Sequence, residues 1–291
     1  QRHDGIEAKA GGHLIENYAA AIPVEIIGNL LGVPHEERGP LRDWSLAILG
    51  ALEPKLTPEQ EERGNRSVSE MLDYLRGLVA RRRKDPGDPE HDVLTRLIQG
   101  EQGGEQLSEH ELLQNCIFIL NAGHETTTNL IGNALVALQE WPRQKALLIR
   151  AIGTRPDWEA LEPVMTPAVD EFLRFESSNQ LGNRRALKSV EVGGVRLDEG
   201  ALVTLCIGAA NRDPAQFERP DELNIERANN RHLAFGFGIH QCAGLSLARL
   251  EGRVAIGRFL ARFPGYRLTA VPERGGRARF RGFLHAPFAV A

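Results

Sequence analysis

The stretch AFGFGIHQCAGLSLARLEG, from Ala234 to Gly252, constrains this chain more than any other, and Cys242 is its centre. Gly236 and Gly238 free the backbone for a tight turn and for close approach to a flat ligand. Ala243 and Gly244 lead into LSLARLEGRVAIGRFLARF, whose apolar residues recur at helical spacing. Cys242 is therefore predicted at a helix N-terminus, where unpaired N–H groups and the positive end of the helix dipole favour the thiolate, the form that binds metal. One thiolate cannot build a structural zinc site, which takes four protein ligands in paired spacings that this chain lacks. A single axial thiolate suits a haem iron, where it favours O–O cleavage. The plain alternative is a buried, inert cysteine at a turn.

The totals narrow the field. The 291 residues are enough for one large domain or two modest ones with a substantial core. With 35 basic and 39 acidic residues the net charge is -4, which argues against a nucleic-acid binder and its basic footprint. Cys116, Cys206 and Cys242 are odd in number and far apart, as in a reducing compartment rather than a disulfide framework. There is no run of 18 apolar residues and no signal-peptide pattern, so the expectation is a cytoplasmic protein with no membrane partner.

Helical patterns dominate residues 1–175, with starts expected near Pro23, Pro40 and Pro58. Ser108 and Glu111 form a capping-box signature, and the apolar pattern that follows runs to Trp141-Pro142, predicting a helix of about 30 residues and roughly 45 Å. Its middle, Ala122 to Thr128, reads AGHETTT. A glycine, three threonines and a charge are poor material for a buried helix, and such a clash between local preference and setting marks a functional site. Threonines bonded back to their own helix are the competing reading. Glu171 and Arg174 stand three apart on one helical face. Residues 176–241 are mixed strand and loop, with a hairpin about Gly193-Gly194 and a strand over Ala201 to Ile207. Residues 242–291 hold the cysteine-loop helix and C-terminal strands, in which Arg277, Arg279 and Arg281 are expected on one solvated face.

Phe235, Gly236, Gly238, His240, Cys242 and Gly244 spell Phe-Gly-x-Gly-x-His-x-Cys-x-Gly, which resembles the haem-binding loop of the cytochrome P450 superfamily. The string at Ala122 to Thr128 resembles the oxygen-binding groove of that family's long helix, and Glu171-x-x-Arg174 its buried ion pair. The resemblance covers essentially the whole chain and is to the soluble bacterial type. It implies a single P450-fold domain, mainly α with small β-sheets, and a b-type haem (iron protoporphyrin IX) between the long helix and the cysteine loop. Cys242 would ligate the iron. Ala122 and Gly123 would leave room for dioxygen, and Glu125 and Thr126 would relay protons to it. Arg184 and His232 match propionate-binding positions, and Arg227 is the guess for a third partner of Glu171 and Arg174. The implied activity is a monooxygenase that hydroxylates or epoxidises a small organic substrate with electrons from a ferredoxin and its reductase, docking near Arg249 and Arg253.

Family members carry a further N-terminal block ahead of anything resembling Gln1. The expectation is thus an N-terminally truncated chain, the C-terminal two-thirds or so, intact in its oxygen chemistry and incomplete in its pocket. Two rivals stand beside it: a haem-thiolate enzyme driven by peroxide, against which Glu125 and Thr126 argue, and an inactive or non-enzymatic haem-binding remnant.

Overall fold

A computed structural model describes residues 10–102, 105–153 and 158–290. The helices used below are α1 (Ala21–Leu30), α2 (Leu41–Gly50), α3 (Pro58–Lys84), α4 (Val93–Gln99), α5 (Glu109–Glu140), α6 (Pro142–Ile152), α7 (Trp158–Phe175) and α8 (Leu245–Arg262). The strands used below are β1 (Gly11–His13), β2 (Leu181–Arg185), β3 (Val190–Val192), β4 (Val195–Leu197), β5 (Leu202–Cys206), β6 (Arg267–Leu268) and β7 (Pro287–Ala289). The chain divides into two compact units, the first made of residues up to Gly132 with 265–273 and 283 onward, the second of Asn133–Pro264 with Arg274–Gly282.

The first unit is helical because its termini are well signalled. Thr57 and Gln60 cap α3 reciprocally, the Gln60 N–H donating to Thr57 Oγ1 (3.3 Å) and the Thr57 N–H to Gln60 Oε1 (2.9 Å). Pro58 occupies the first turn, and Arg81 to Lys84 occupy the last turn, where the dipole favours cations. Ser108 and Glu111 cap α5 in the same way. The core is one apolar cluster in which Ile27 and Leu31 meet Met71, Leu75 and Leu78 of α3, Leu94 of α4, and Leu112, Leu113, Cys116 and Leu120 of α5. Burial pushes the Cys116 thiol up to about 11, so this cysteine behaves as a small hydrophobe. A π-helical turn over Leu14–Ala19 precedes α1, and nothing in the apolar periodicity signals it. β1, β7 and β6 form a small antiparallel sheet in that order.

The second unit is built on α6, α7 and α8, which pack on one another. Where α8 crosses α7, a Cβ on Gly257 would lie 3.2 Å from Met165 Cγ, so a larger residue there would hold the two helices apart. β2 pairs with β5 from Leu181↔Cys206 to Arg185↔Leu202. β3 and β4 form the expected hairpin, with Gly193 and Gly194 at φ of 57° and 78°. One expectation fails: residues 277–279 and 281 are not strand, and Phe280 makes only an isolated bridge to Asn179. Arg281 is drawn to Glu176 (3.0 Å), and its N–H donates to the Ser178 carbonyl, so this segment follows residues 176–180 rather than joining a sheet. Among the described residues no helix is long and apolar enough to cross a membrane.

Candidate functional site

The cysteine loop lies wholly in the second unit. Gly236 and Gly238 take φ of 69° and 75°, a left-handed backbone that favours glycine. Between them the chain turns through Phe237 and into a short 3₁₀ turn over Gly238–His240. The loop closes when the Cys242 N–H donates to the Phe235 carbonyl (2.9 Å). Gly244 then opens α8, so Cys242 stands just ahead of a helix N-terminus as its sequence predicts. Its thiol is free and exposed rather than buried and inert. The same loop turns its apolar side chains outward: Phe237 is 82% exposed and Ile239 98%. His240 on this loop and Arg184 on β2 are exposed too.

This arrangement can be tested against a haem. Among the described residues no group of three or more His, Cys, Asp or Glu side chains is placed to hold a metal ion. Cys242 is thus a single soft donor, suited to a metal that arrives with its other ligands already in place. Outward-facing Phe237 and Ile239 give that donor an apolar loop of the kind that covers a flat macrocycle, and exposed Arg184 and His240 supply donors for carboxylates. The residues fit the group.

The loop is braced from α7. Glu171 is fully buried, and five donors converge on its carboxylate. Arg174 gives Nε (2.7 Å) and Nη2 (2.8 Å), Arg227 gives Nε (3.0 Å), Asn230 gives Nδ2 (3.1 Å) and Asn224 its backbone N–H (2.8 Å). Arg227 is therefore the third partner, and Asn224 and Asn230 are partners that sequence spacing does not reveal. Arg174 is itself saturated, donating also to the carbonyls of Asn211 (2.9 Å), Pro220 (2.8 Å) and Glu222 (3.0 Å). Asn211 carries the brace onward: its Oδ1 accepts the Leu233 N–H (2.7 Å) and its Nδ2 donates to Ser177 (2.7 Å). Ser177 is buried within this network.

His232 has both ring nitrogens in use within the protein. Nδ1 accepts the Ala234 N–H (3.2 Å), which places the proton on Nε2, and Nε2 faces Asp170 Oδ1 (3.3 Å). These partners anchor the start of the cysteine loop. Arg249 and Arg253, expected as docking cations, are engaged as well. Arg249 Nε donates to Asp170 Oδ1 (2.8 Å), and Arg253 pairs with Glu162 (2.6 Å). Burial alone would raise the Asp170 carboxyl; hydrogen bonds from His232 and Arg249 and the charge of Arg249 outweigh that and hold it below the usual carboxylate range.

The AGHETTT string lies in the first unit, on α5. Phe118, Ala122 and Thr126, one helical turn apart, follow the side of the helix left uncovered, with Phe118 68% exposed. Thr126 Oγ1 donates to the Ala122 carbonyl (2.8 Å), and Thr128 bonds back to His124 (3.0 Å). The helix therefore stays regular through the string by absorbing its own hydroxyls. A Cβ on Gly123 would meet Ile27 Cδ1 at 2.6 Å, so this glycine serves the packing of α1. Glu125 is buried while Thr126 is half-buried. His124, which the motif reading passes over, is buried with neither ring nitrogen hydrogen-bonded. Burial, with a smaller contribution from Arg42, pushes it down to about 3, so it is neutral.

Comparison with known proteins agrees with this geometry. The Cytochrome P450 family model matches residues 47–273. Cytochrome P450 107B1 of Saccharopolyspora erythraea is 39% identical over 272 residues, covering 93% of this chain and 62% of that protein. The biotin biosynthesis cytochrome P450 of Bacillus subtilis is 34% identical over 266 residues, covering 91% and 64%. The chain thus spans a little under two thirds of the length of these relatives. Among solved structures, P450BioI in complex with hexadec-9Z-enoic acid ligated acyl carrier protein superimposes with a TM-score of 0.91 at 32% identity, covering all of this chain and 72% of that one. On these matches and on a cysteine loop of this form, the chain belongs to the cytochrome P450 family.

Proposed function

We propose that the protein to which this chain belongs is a haem-thiolate monooxygenase that hydroxylates or epoxidises a small, largely apolar organic substrate. The observation that carries this reading is the exposed Cys242 thiol on a loop that turns Phe237 and Ile239 outward. A bound b-type haem would supply oxygen activation, with two electrons and two protons consumed for each oxygen atom inserted. Cys242 would hold the iron from just ahead of α8. Phe235, Gly236, Gly238 and Gly244 shape the loop around it, and Arg184 and His240 would take the propionates, while His232 fixes the loop from within.

On α5, exposed Ala122 leaves the small-residue surface for dioxygen, while Gly123 beside it lets α1 pack close through Ile27. The Thr126 hydroxyl donates a hydrogen bond to the Ala122 carbonyl and keeps its oxygen available as an acceptor for an incoming proton donor. The buried Glu125 carboxyl is the proton source next to it in the chain. Exposed Phe118, one turn before Ala122, offers an apolar wall to the substrate. Relatives named for acting on apolar molecules support that class: a vitamin D(3) 25-hydroxylase of Pseudonocardia autotrophica is 39% identical over 254 residues. We read the electron donors as a ferredoxin and its reductase and the setting as the cytoplasm.

Isotopically labelled dioxygen tests the reaction. With a ferredoxin, its reductase and a panel of free and carrier-linked long-chain acids and sterols, one labelled atom is expected in the product. Turnover supported by peroxide alone, with no label taken from dioxygen, would favour the peroxide-driven reading.

A further inference from the structure

We propose that Asp170 is a positioning residue for the cysteine loop, holding Arg249 against the Phe235 ring so that Phe235 in turn holds the backbone of Cys242. The proposal rests on the reading of Cys242 as the metal ligand.

Asp170 lies on α7, next to the Glu171 hub but outside it. One of its oxygens, Oδ1, receives two donors from the opposite side of the α7–α8 contact: Arg249 Nε (2.8 Å) and His232 Nε2 (3.3 Å). Arg249 is thereby fixed with its guanidinium 4.8 Å from the centre of the Phe235 ring, a cation–π distance. His232 packs on the same ring at 5.9 Å and accepts the Ala234 N–H. Phe235 then uses its carbonyl to accept the Cys242 N–H (2.9 Å). A single carboxylate therefore reaches the loop at Ala234 through His232, at the Phe235 ring through Arg249, and at Cys242 through the Phe235 backbone. Without it, Arg249 loses the partner that fixes its long side chain, and the ring that closes the loop loses its cover.

A second acid–arginine pair on the same two helices separates positioning from packing. Glu162 and Arg253 also tie α7 to α8 (2.6 Å), but Glu162 is about half exposed and Arg253 reaches Thr166 of α7 as well (3.1 Å), a pairing between the two helices themselves. A pair that only joined the helices would behave like this one.

The test uses haem-loaded protein carrying Asp170→Asn, Asp170→Ala, Asp170→Glu or Glu162→Gln, beside Cys242→Ser. The readout is the thiolate-type Soret band of the reduced, carbon-monoxide-bound form and its rate of conversion to the non-thiolate band, with circular dichroism recording global unfolding. Asp170→Asn and Asp170→Ala are expected to convert about tenfold faster than the parent, the scale of one lost charge-assisted hydrogen bond, before any unfolding. Asp170→Glu should restore most of the parent's behaviour, and Glu162→Gln should match the parent. If Asp170→Ala does not accumulate as folded protein, Arg249→Gln carries the same expectation while leaving Asp170 with His232. Conversion rates for Asp170→Asn and Arg249→Gln equal to that of Glu162→Gln overturn the proposal while leaving the ligand intact. A thiolate-type band that survives in Cys242→Ser instead overturns the ligand reading and the proposal with it.

Discussion

Replacing Glu171 with glutamine keeps the shape of the hub and removes its charge. Five donors point at this carboxylate, and the side chains of both Glu171 and Arg174 have no exposed surface. Summing five charge-assisted bonds at about 1.5–3 kcal/mol each would overshoot, because they share one carboxylate and are not additive. The better measure is the cost of leaving a buried guanidinium without its counter-ion, about 3–5 kcal/mol. The three carbonyls that Arg174 also reaches soften the loss without removing it. For a chain of this size that loss corresponds to a fall of about 5–8 °C in melting temperature. Urea and thermal unfolding followed by near-ultraviolet circular dichroism read it directly. Arg227→Met should cost less, about 1–3 kcal/mol, because its side chain is 9% exposed and its loss leaves Glu171 still paired with Arg174. A loss below ~1 kcal/mol for Glu171→Gln, the size of a surface ion pair, would refute the view that this hub holds the second unit together.

Burial pushes the Glu251 carboxyl up to about 8, so it stays protonated in the folded protein and ionises in the unfolded chain from about 4.5. The unfolded state then binds fewer protons, and stability should fall as pH rises from about 4.5 to 8; Glu251→Gln should flatten that slope in pH-dependent urea titrations. His124 runs the other way. Held neutral down to about 3 against an ordinary 6.5, it leaves the unfolded state binding more protons, so its contribution is lost as pH falls from 6.5 toward 3, and His124→Gln should be less acid-sensitive. Thr126→Val should change stability by less than about 1 kcal/mol, since a hydroxyl bonded back to its own helix contributes little. The same substitution should lower product formed per dioxygen consumed by about tenfold, less than the roughly 10²–10⁴-fold of a whole general acid–base group because Glu125 is retained, with the excess appearing as peroxide.

Much of the architecture was legible because its signals are local. The capping box at Ser108, the proline at the start of α3 and the Gly193-Gly194 turn each act through neighbours in sequence. The cysteine loop was legible for the same reason, since its glycines and Cys242 fall within ten residues. What escaped depends on distant partners. Nothing near Glu171 in sequence announces Asn224 or Asn230, and nothing near Asp170 announces Arg249, 79 residues on. The residues 277–281 alternate like a strand, but pairing with Glu176 and with the backbone of residues 178–180 gives them a different course. His232 shows the same limit. Of the two partners that its nitrogens meet, the Ala234 N–H is close in sequence but Asp170 is not.

The central claim is that Cys242 presents a thiolate to a haem iron. The absorption spectrum of the reduced, carbon-monoxide-bound protein tests it most directly. The parent is expected to show the thiolate-type Soret band and Cys242→Ser to lack it. Absence of that band in haem-loaded parent, or its persistence after Cys242 is replaced, would contradict the account.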